Sequence, residues 1–167
     1  MSKSVLGFVV LMLVAPLAAE EVPEFYKSVD RLVWVVEDID QTLNQLRNLG
    51  FTDFEDLGVG NLDGTDFRGK PATGDYRVVS GRFGNVAVHW IQPSGGVNAF
   101  AEFLETHGSG VFSLMHRTPN LEALESELER MRDLGVSTLM GGSIDTQSDP
   151  IRFAFFDTEK KGKYCSA

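Results

Sequence analysis

The sequence predicts an α+β domain built from two copies of one βαβββ module. The first copy opens at residues 29–51, VDRLVWVVEDIDQTLNQLRNLGF, and the second at residues 111–136, VFSLMHRTPNLEALESELERMRDLGV. In each copy, apolar residues alternate along a strand and then recur at helical spacing. One such unit cannot bury its own apolar faces, whereas two copies can cover each other. The paired modules should therefore form a curved mixed sheet around a cleft, with the helices outside.

The helix ends support the duplication. Asp38 and Asn120 stand at the two N-cap positions, and Gln41 completes a capping box in the first copy. Gly50 and Gly135 follow the two helices, where a left-handed residue is typical. The predicted helices therefore begin and end at matching points.

Residues 1–19 have the order of an export signal. Lys3 supplies the positive charge, residues 5–14 form an apolar run, and Leu17-Ala18-Ala19 resembles a cleavage site. The apolar run is shorter than the roughly 20 residues that span a bilayer. We expect cleavage near Ala19 and a mature protein in the periplasm or outside the cell, and the alternative interpretation is a buried N-terminal helix.

Charge and cysteine content exclude several classes of function. The chain carries a formal net charge of −9, and Lys3 is the only charged residue within 1–19, so the remainder is near −10. Such a surface repels nucleic acid and anionic membranes. Cys165 is the sole cysteine, which excludes an internal disulfide and a cysteine-based zinc site.

The remaining elements follow in order after a polar lead-in at residues 20–28. The domain should occupy residues 29–167, with modules at about 29–93 and 111–167 and a linker helix within 94–110. Residues 58–75 are rich in glycine and predict a loop without secondary structure, either a flap over a site or a solvated connector. Residues 141–150 predict a second, polar loop. The further strands are predicted at 51–57, 76–82, 86–92, 111–117, 136–140, 151–157 and, short, at 163–167.

Strand alternation sorts the candidate site residues. Arg31 shares a face with Val33 and Val35, whereas Trp34 and Trp90 should pack beneath the helices. The acidic residues of the second long helix should lie mostly on its solvated face: Glu122, Glu125, Glu127 and Glu129.

Three stretches resemble the vicinal oxygen chelate superfamily, which includes glyoxalase I, extradiol dioxygenases and bleomycin-resistance proteins. They read VDRLVWVVEDID, FGNVAVHWIQP and FAEFLETHGSGVFSLMHRTPN, and the last is similar to the methylmalonyl-CoA epimerase-like branch. The resemblance implies a divalent metal on the inner sheet face, held by side chains of the first, fourth, fifth and eighth strands. At the first three of these positions the chain has Arg31, His89 and Ser113, and the fourth falls near residues 166–167.

Those residue types predict a site without a metal or other cofactor. Arg31 is permanently cationic and repels a metal, and Ser113 is a poor ligand. Arg31 is predicted either to anchor an anionic or carbonyl group of a ligand or to form a structural ion pair. His89 is either a catalytic acid or base or a hydrogen-bonded core histidine. Ser113, equivalent to Arg31 in the second module, is a candidate ligand-binding residue, and so is His89.

The predicted function is an exported domain of this superfamily that binds a small molecule in the cleft, with the family's metal site degenerate. The alternative is a lyase or epimerase of the superfamily with an altered metal site. The expected partner is a small-molecule ligand, and a homodimer is left open.

Overall fold

The protein is described here by a computed structural model, which covers residues 21–144, 151–159 and 165–166. The predicted signal segment, residues 1–19, lies outside these ranges. The described elements are a 3-10 turn at Glu24–Lys27, β1 Arg31–Val35, α1 Ile39–Asn48, β2 Phe54–Asn61, β3 Thr65–Phe67, β4 Lys70–Pro71, β5 Asp75–Phe83, β6 Val86–Ser94, α2 Ala99–His107, β7 Gly110–Met115, α3 Leu121–Asp133, β8 Thr138–Ile144, β9 Ile151–Phe156 and β10 Cys165–Ser166.

These elements confirm the predicted α+β architecture. One sheet has the strand order β10-β7-β1-β6-β5-β2, and a second has the order β4-β3-β8-β9. The strands β1 and β7, which open the two modules, lie antiparallel at the centre, with Leu32 opposite Leu114. The offset between these two leucines is the same 82 residues that separates Arg31 from Ser113 in the sequence duplication. The join between the modules is therefore a pseudo-two-fold contact between equivalent strands.

Both predicted helix caps form. The Asp38 carboxylate accepts a hydrogen bond from the Gln41 backbone N–H at 2.8 Å, and the Asn120 side chain accepts one from the Ala123 N–H at 2.8 Å. Gly50 and Gly135 adopt φ angles of +94° and +72°, which fit the left-handed residue after each helix. Local sequence alone therefore sets where α1 and α3 begin and end.

The prediction of an unstructured loop at residues 58–75 is wrong. Strand β2 lies three residues later than predicted and runs to Asn61, and the short strands β3 and β4 follow it. Leu62 and Phe67 are buried, and β3 pairs with β8 of the second module. Backbone pairing across the modules and these two apolar anchors order a segment whose glycines suggested a loop.

Strand β8 also differs from its prediction. It spans Thr138–Ile144 rather than residues 136–140, so the start of the predicted loop at 141–150 is strand. Gly141 and Gly142 continue the ladder with β9 and pair with Asp66 and Thr65 of β3. Residues 145–150 lie outside the described ranges.

Three apolar clusters fill the fold. The first lies between α1 and the sheet and includes Trp90, Ile39 and Leu43, with Trp34 at its edge, so both tryptophans pack beneath the helix as predicted. A smaller cluster under α3 contains Met131, Ala154 and Phe156. The largest cluster joins the inner face of β1 to α2 and β9, through Val33, Val35, Phe100, Phe112, Met140 and Phe155 among others. The inner face of the paired modules is therefore extensively lined by apolar side chains.

Candidate functional site

Arg31 and His89 meet on the inner face of the sheet. Strand β1 pairs with β6 so that Val33 lies opposite His89, which places His89 on the same face as Arg31. The Arg31 Nη1 lies 3.5 Å from the His89 Nδ1. The sequence prediction that the two side chains share one face is thus confirmed by the register.

The Arg31 contact sets the tautomer of His89. A guanidinium can only donate a hydrogen bond, so the His89 Nδ1 must carry the lone pair and the ring proton lies on Nε2. Burial, together with the Arg31 charge, lowers the pKa of His89 from 6.5 to about 4, and Asp30 opposes this shift. His89 is therefore a neutral acceptor at physiological pH, which suits a positioning partner for Arg31 better than a general acid.

We expect the low pKa of His89 to make folding sensitive to acid. In the unfolded chain His89 takes up its proton near pH 6.5, whereas the folded protein takes it up only near pH 4. The unfolded state therefore binds more protons in this window, and the free energy of unfolding should fall by up to about 3 kcal/mol as the pH drops from 6.5 to 4. Denaturant titrations at several pH values measure this loss.

The matched variants isolate the contribution of His89. His89→Gln should flatten the profile between pH 4 and 6.5, and His107→Gln, a change at an exposed histidine of α2, is the control. Asp30 also titrates abnormally, since Arg117 holds the pKa of that carboxyl below its usual range, but its effect belongs to lower pH. If His89→Gln leaves the pH dependence of the free energy of unfolding unchanged, His89 is not the source of the acid sensitivity.

Ser113 does not join this pair. In the β1–β7 register it lies opposite Val33, and Arg31 lies opposite Met115. Ser113 is buried, and its hydroxyl donates a hydrogen bond to the Leu114 carbonyl at 3.3 Å. Ser113 and Arg31 occupy equivalent positions in the two module-opening strands, as the duplication predicted. The ligand-binding role of Ser113 stays a prediction.

Arg31 instead faces a pocket at the end of β1. This pocket has a volume of about 250 Å³ and lies between β7, β9, α3 and the N-terminal turn. Three arginines, Arg31, Arg117 and Arg152, line the pocket together with the acidic residues Asp30 and Glu127. The pocket is therefore net cationic, in a chain whose net charge is strongly negative.

The polar groups of Arg31 are incompletely paired. Its Nη2 lies 3.7 Å from Asp30, whereas Arg117 holds the same carboxylate through its Nε at 3.0 Å. The Arg31 Nε is buried without a hydrogen-bond partner. Burial, as the largest cause, and Arg117 together lower the pKa of Arg31, and Asp30 opposes them. A buried guanidinium N–H without a partner is costly, so Arg31 adds less to stability than a fully paired arginine would.

A buried carboxylate fixes another wall of the pocket. The prediction that the acidic residues of α3 lie mostly in solvent is wrong for Glu127, which is 4% exposed. The Tyr26 hydroxyl donates to it at 2.7 Å, and Arg130 donates through Nε and Nη2 at 2.8 and 2.6 Å. Burial and the Glu127 hydrogen bond raise the pKa of Tyr26 above its usual value. This network ties the N-terminal turn to α3.

A histidine completes that attachment. The His116 Nδ1 donates to the Ser28 carbonyl at 2.7 Å, because a carbonyl can only accept, and its ring meets Tyr26 edge-on at 4.8 Å. Sequence reasoning missed Tyr26, Arg117 and Arg152 as pocket residues. No local motif marks them, and Tyr26 reaches Glu127 across 101 positions.

The inner-face residues are a poor fit for the divalent metal that the fold family implies. The Arg31 guanidinium occupies the space beside the His89 lone pair, and a cation there repels a metal ion. The Ser113 hydroxyl is a weak ligand. Within residues 21–144, 151–159 and 165–166, no cluster of three His, Cys, Asp or Glu side chains could hold an ion. We therefore derive no chemistry from a metal.

Comparison with known proteins identifies the fold. A scan against protein-family models and a search of curated proteins found no match. Methylmalonyl-CoA epimerase from Mycobacterium tuberculosis superposes with a TM-score of 0.53 at 16% identity, over 83% of each chain. A hypothetical protein from Bacillus halodurans gives a TM-score of 0.51 at 14% identity, over 84% of this chain and 94% of its own.

A third solved structure widens the range of activities found on this fold. A mutant of 4-hydroxymandelate synthase from Streptomyces coelicolor superposes with a TM-score of 0.53 at 17% identity, over 83% of this chain and 37% of its own. The epimerase and the synthase are both vicinal oxygen chelate proteins. The chain therefore has the vicinal oxygen chelate fold, as the three sequence stretches predicted.

Among the described helices, none combines the length and the apolar character needed to cross a bilayer.

Proposed function

We propose that this domain binds a small molecule bearing a carboxylate or carbonyl group, with Arg31 as the anchor and without a metal. The observation that carries the proposal is Arg31 itself, which lines a net cationic pocket while its contact with the Asp30 carboxylate is long, at 3.7 Å. A guanidinium presents donors in a planar fork that matches a carboxylate.

The structural alternative for Arg31 has weaker support. Arg117 already pairs with Asp30, so Asp30 does not depend on the longer 3.7 Å contact with Arg31. A residue that is incompletely paired in the folded protein adds little stability. Ligand binding accounts better for an arginine at this position than a structural ion pair does.

An epimerase or lyase function is the alternative proposal. Such a reaction needs a group that moves a proton near neutral pH, and His89, with a pKa of about 4, has the Arg31 donor at its Nδ1. The fold is shared with methylmalonyl-CoA epimerase, but at 16% identity the likeness carries the fold alone. Binding without chemistry is therefore the function we favour.

Pyruvate and butanoate are suitable probes, and isothermal titration measures their binding. Arg31→Met should weaken binding by about 2–5 kcal/mol, as expected when one partner of a desolvated charged pair is removed. The free energy of unfolding should stay within about 1 kcal/mol of the parent or rise, because the replacement removes a poorly paired charge.

Arg82→Met is the matched control. Arg82 lies at the β5–β6 turn, and within the described residues its side chain donates a hydrogen bond only to the Asn85 carbonyl. Arg82→Met should leave probe binding unchanged, and Ser113→Ala should weaken probe binding far less than Arg31→Met does. Unchanged affinity in Arg31→Met would refute the anchor, and a loss of stability above about 2 kcal/mol would support the structural ion pair.

Two sequence expectations accompany the proposal. Elemental analysis of protein purified without a chelator or metal-affinity tag should give no stoichiometric zinc, nickel, cobalt, iron or manganese. We also propose export, which intact-mass analysis tests by finding cleavage near Ala19. Retention of Met1 or Ser2 on cytoplasmic protein would refute export, and one metal per chain would refute the metal-free site.

A further inference from the structure

A second cavity lies beside the cationic pocket. It has a volume of about 360 Å³ and lies between α3 and the strands β8 and β9. The two cavities share Leu124, Arg152, Phe153 and Ala154 in their walls. We call these two adjoining cavities together the α3 groove.

The second cavity exists because α3 packs tightly only over its C-terminal half. Met131 is buried there against Ala154 and Phe156. Towards the N-terminus, Leu121 is 46% exposed and Leu124 is half-buried. Beneath this end, Gly141 and Gly142 of β8 line the cavity.

The two ends of the α3 groove differ in chemistry. At the β1 end, Arg31 and Arg117 lie beside the Asp30 carboxylate, and the charge of Glu127 is matched by Arg130. At the other end, the wall is mainly apolar, and its charged residues are Asp66, Glu125 and Arg152. The apolar side chains of that wall are Leu121, Leu124, Leu128 and Phe153. The ion pair between Arg152 and Glu125 lies between the two ends of the groove, with 3.6 Å between its nitrogen and oxygen. Both side chains are largely exposed, so the pair is weak and a ligand can displace it.

We propose that the α3 groove binds an amphipathic monoanion, with its carboxylate at Arg31 and a straight apolar tail along α3. This rests on the proposed function for the head group and adds the class of ligand. The charge of the head complements the three arginines, and the tail covers leucines that are otherwise exposed to water. The larger cavity, at about 360 Å³, lies within the range usual for small-molecule sites, and the cationic pocket, at about 250 Å³, lies just below it.

A series of alkanoates tests the tail separately from the head. Calorimetric titration should show butanoate binding weakly and octanoate binding about 10- to 200-fold more tightly, because four further methylene groups leave water. Octan-1-ol, which has the tail without the charge, should bind at least about tenfold more weakly than octanoate.

A substitution in the apolar wall provides the matched test. Leu121→Asp places a charge in the path of the tail, at the first turn of α3 where an acidic residue is compatible with the helix. It should reduce octanoate affinity about tenfold or more and leave butanoate affinity unchanged. Leu49→Asp, at an exposed leucine after α1 outside both cavities, is the control.

The outcomes separate the two proposals. Equal affinity for butanoate and octanoate, with both abolished by Arg31→Met, would overturn the tail site and leave the head site standing. Chain-length dependence that survives Leu121→Asp would also overturn it, because the tail would then lie elsewhere. No saturable binding of any alkanoate would overturn both.

Discussion

Trp90→Ala should lower the free energy of unfolding by about 3–5 kcal/mol, the range for truncating a buried aromatic side chain. Trp90 is 1% exposed. Its ring meets Phe54 and Phe83 edge-on, at centroid distances of 5.5 and 5.6 Å. A Cβ on Gly81 would come within 2.8 Å of the indole, so the surrounding strand is already in close contact and has little room to collapse into the space.

Urea titration with linear extrapolation measures this loss, and equal slopes for parent and variant would show that the same transition is compared. Trp34→Ala is the matched control, because Trp34 lies opposite Trp90 in the β1–β6 register and is only partly buried. Its loss should be smaller. A loss in Trp90→Ala no larger than that in Trp34→Ala would show that the cluster under α1 is not the stabilising core described here.

Glu127→Ala should lower the free energy of unfolding by about 3 kcal/mol, which is typical when one partner of a buried ion pair is removed. The substitution leaves the Tyr26 hydroxyl and two Arg130 donors without their acceptor. Unpaired polar groups in a buried setting cost more than the hydrogen bonds themselves contribute. The attachment of the N-terminal turn to α3 should loosen at the same time.

Glu129→Ala is the control on the same helix, since Glu129 is exposed, and it should change stability by less than about 0.5 kcal/mol. Tyr26→Phe should cost about 1.5–3 kcal/mol, because it removes a hydrogen bond to a charged group. Hydrogen exchange of amides in the N-terminal turn reports the attachment directly. Equal stabilities of Glu127→Ala and Glu129→Ala would refute the buried network.

The contact between Arg31 and His89 bears on the proposed binding function. His89 is held neutral beside a guanidinium, and the guanidinium keeps one N–H unpaired. Both features cost free energy in the folded protein, and neither is needed to pack the sheet. Incompletely satisfied polar groups in a core of good apolar packing are what a binding site is expected to show.

The sequence by itself determined the repeated module, the ends of α1 and α3, and the faces on which Arg31, Trp34 and Trp90 lie. These features depend on short-range causes, namely strand alternation, side-chain caps and left-handed glycines, and each acts within a few residues. The resemblance of three stretches to the vicinal oxygen chelate superfamily supplied the alignment of β6 that brought His89 into the prediction.

Only the tertiary structure decided which groups meet. Strand β3 crosses to β8 through backbone pairing, which glycine-rich sequence does not reveal. In sequence, Glu127 resembles the other glutamates of α3. In the folded protein it differs from them because the hydroxyl of Tyr26, 101 positions away, donates a hydrogen bond to it. Arg117 and Arg152 join Arg31 around one pocket because β1, β7 and β9 converge there. Such contacts depend on long-range packing, so no local pattern of residue types could have located the site.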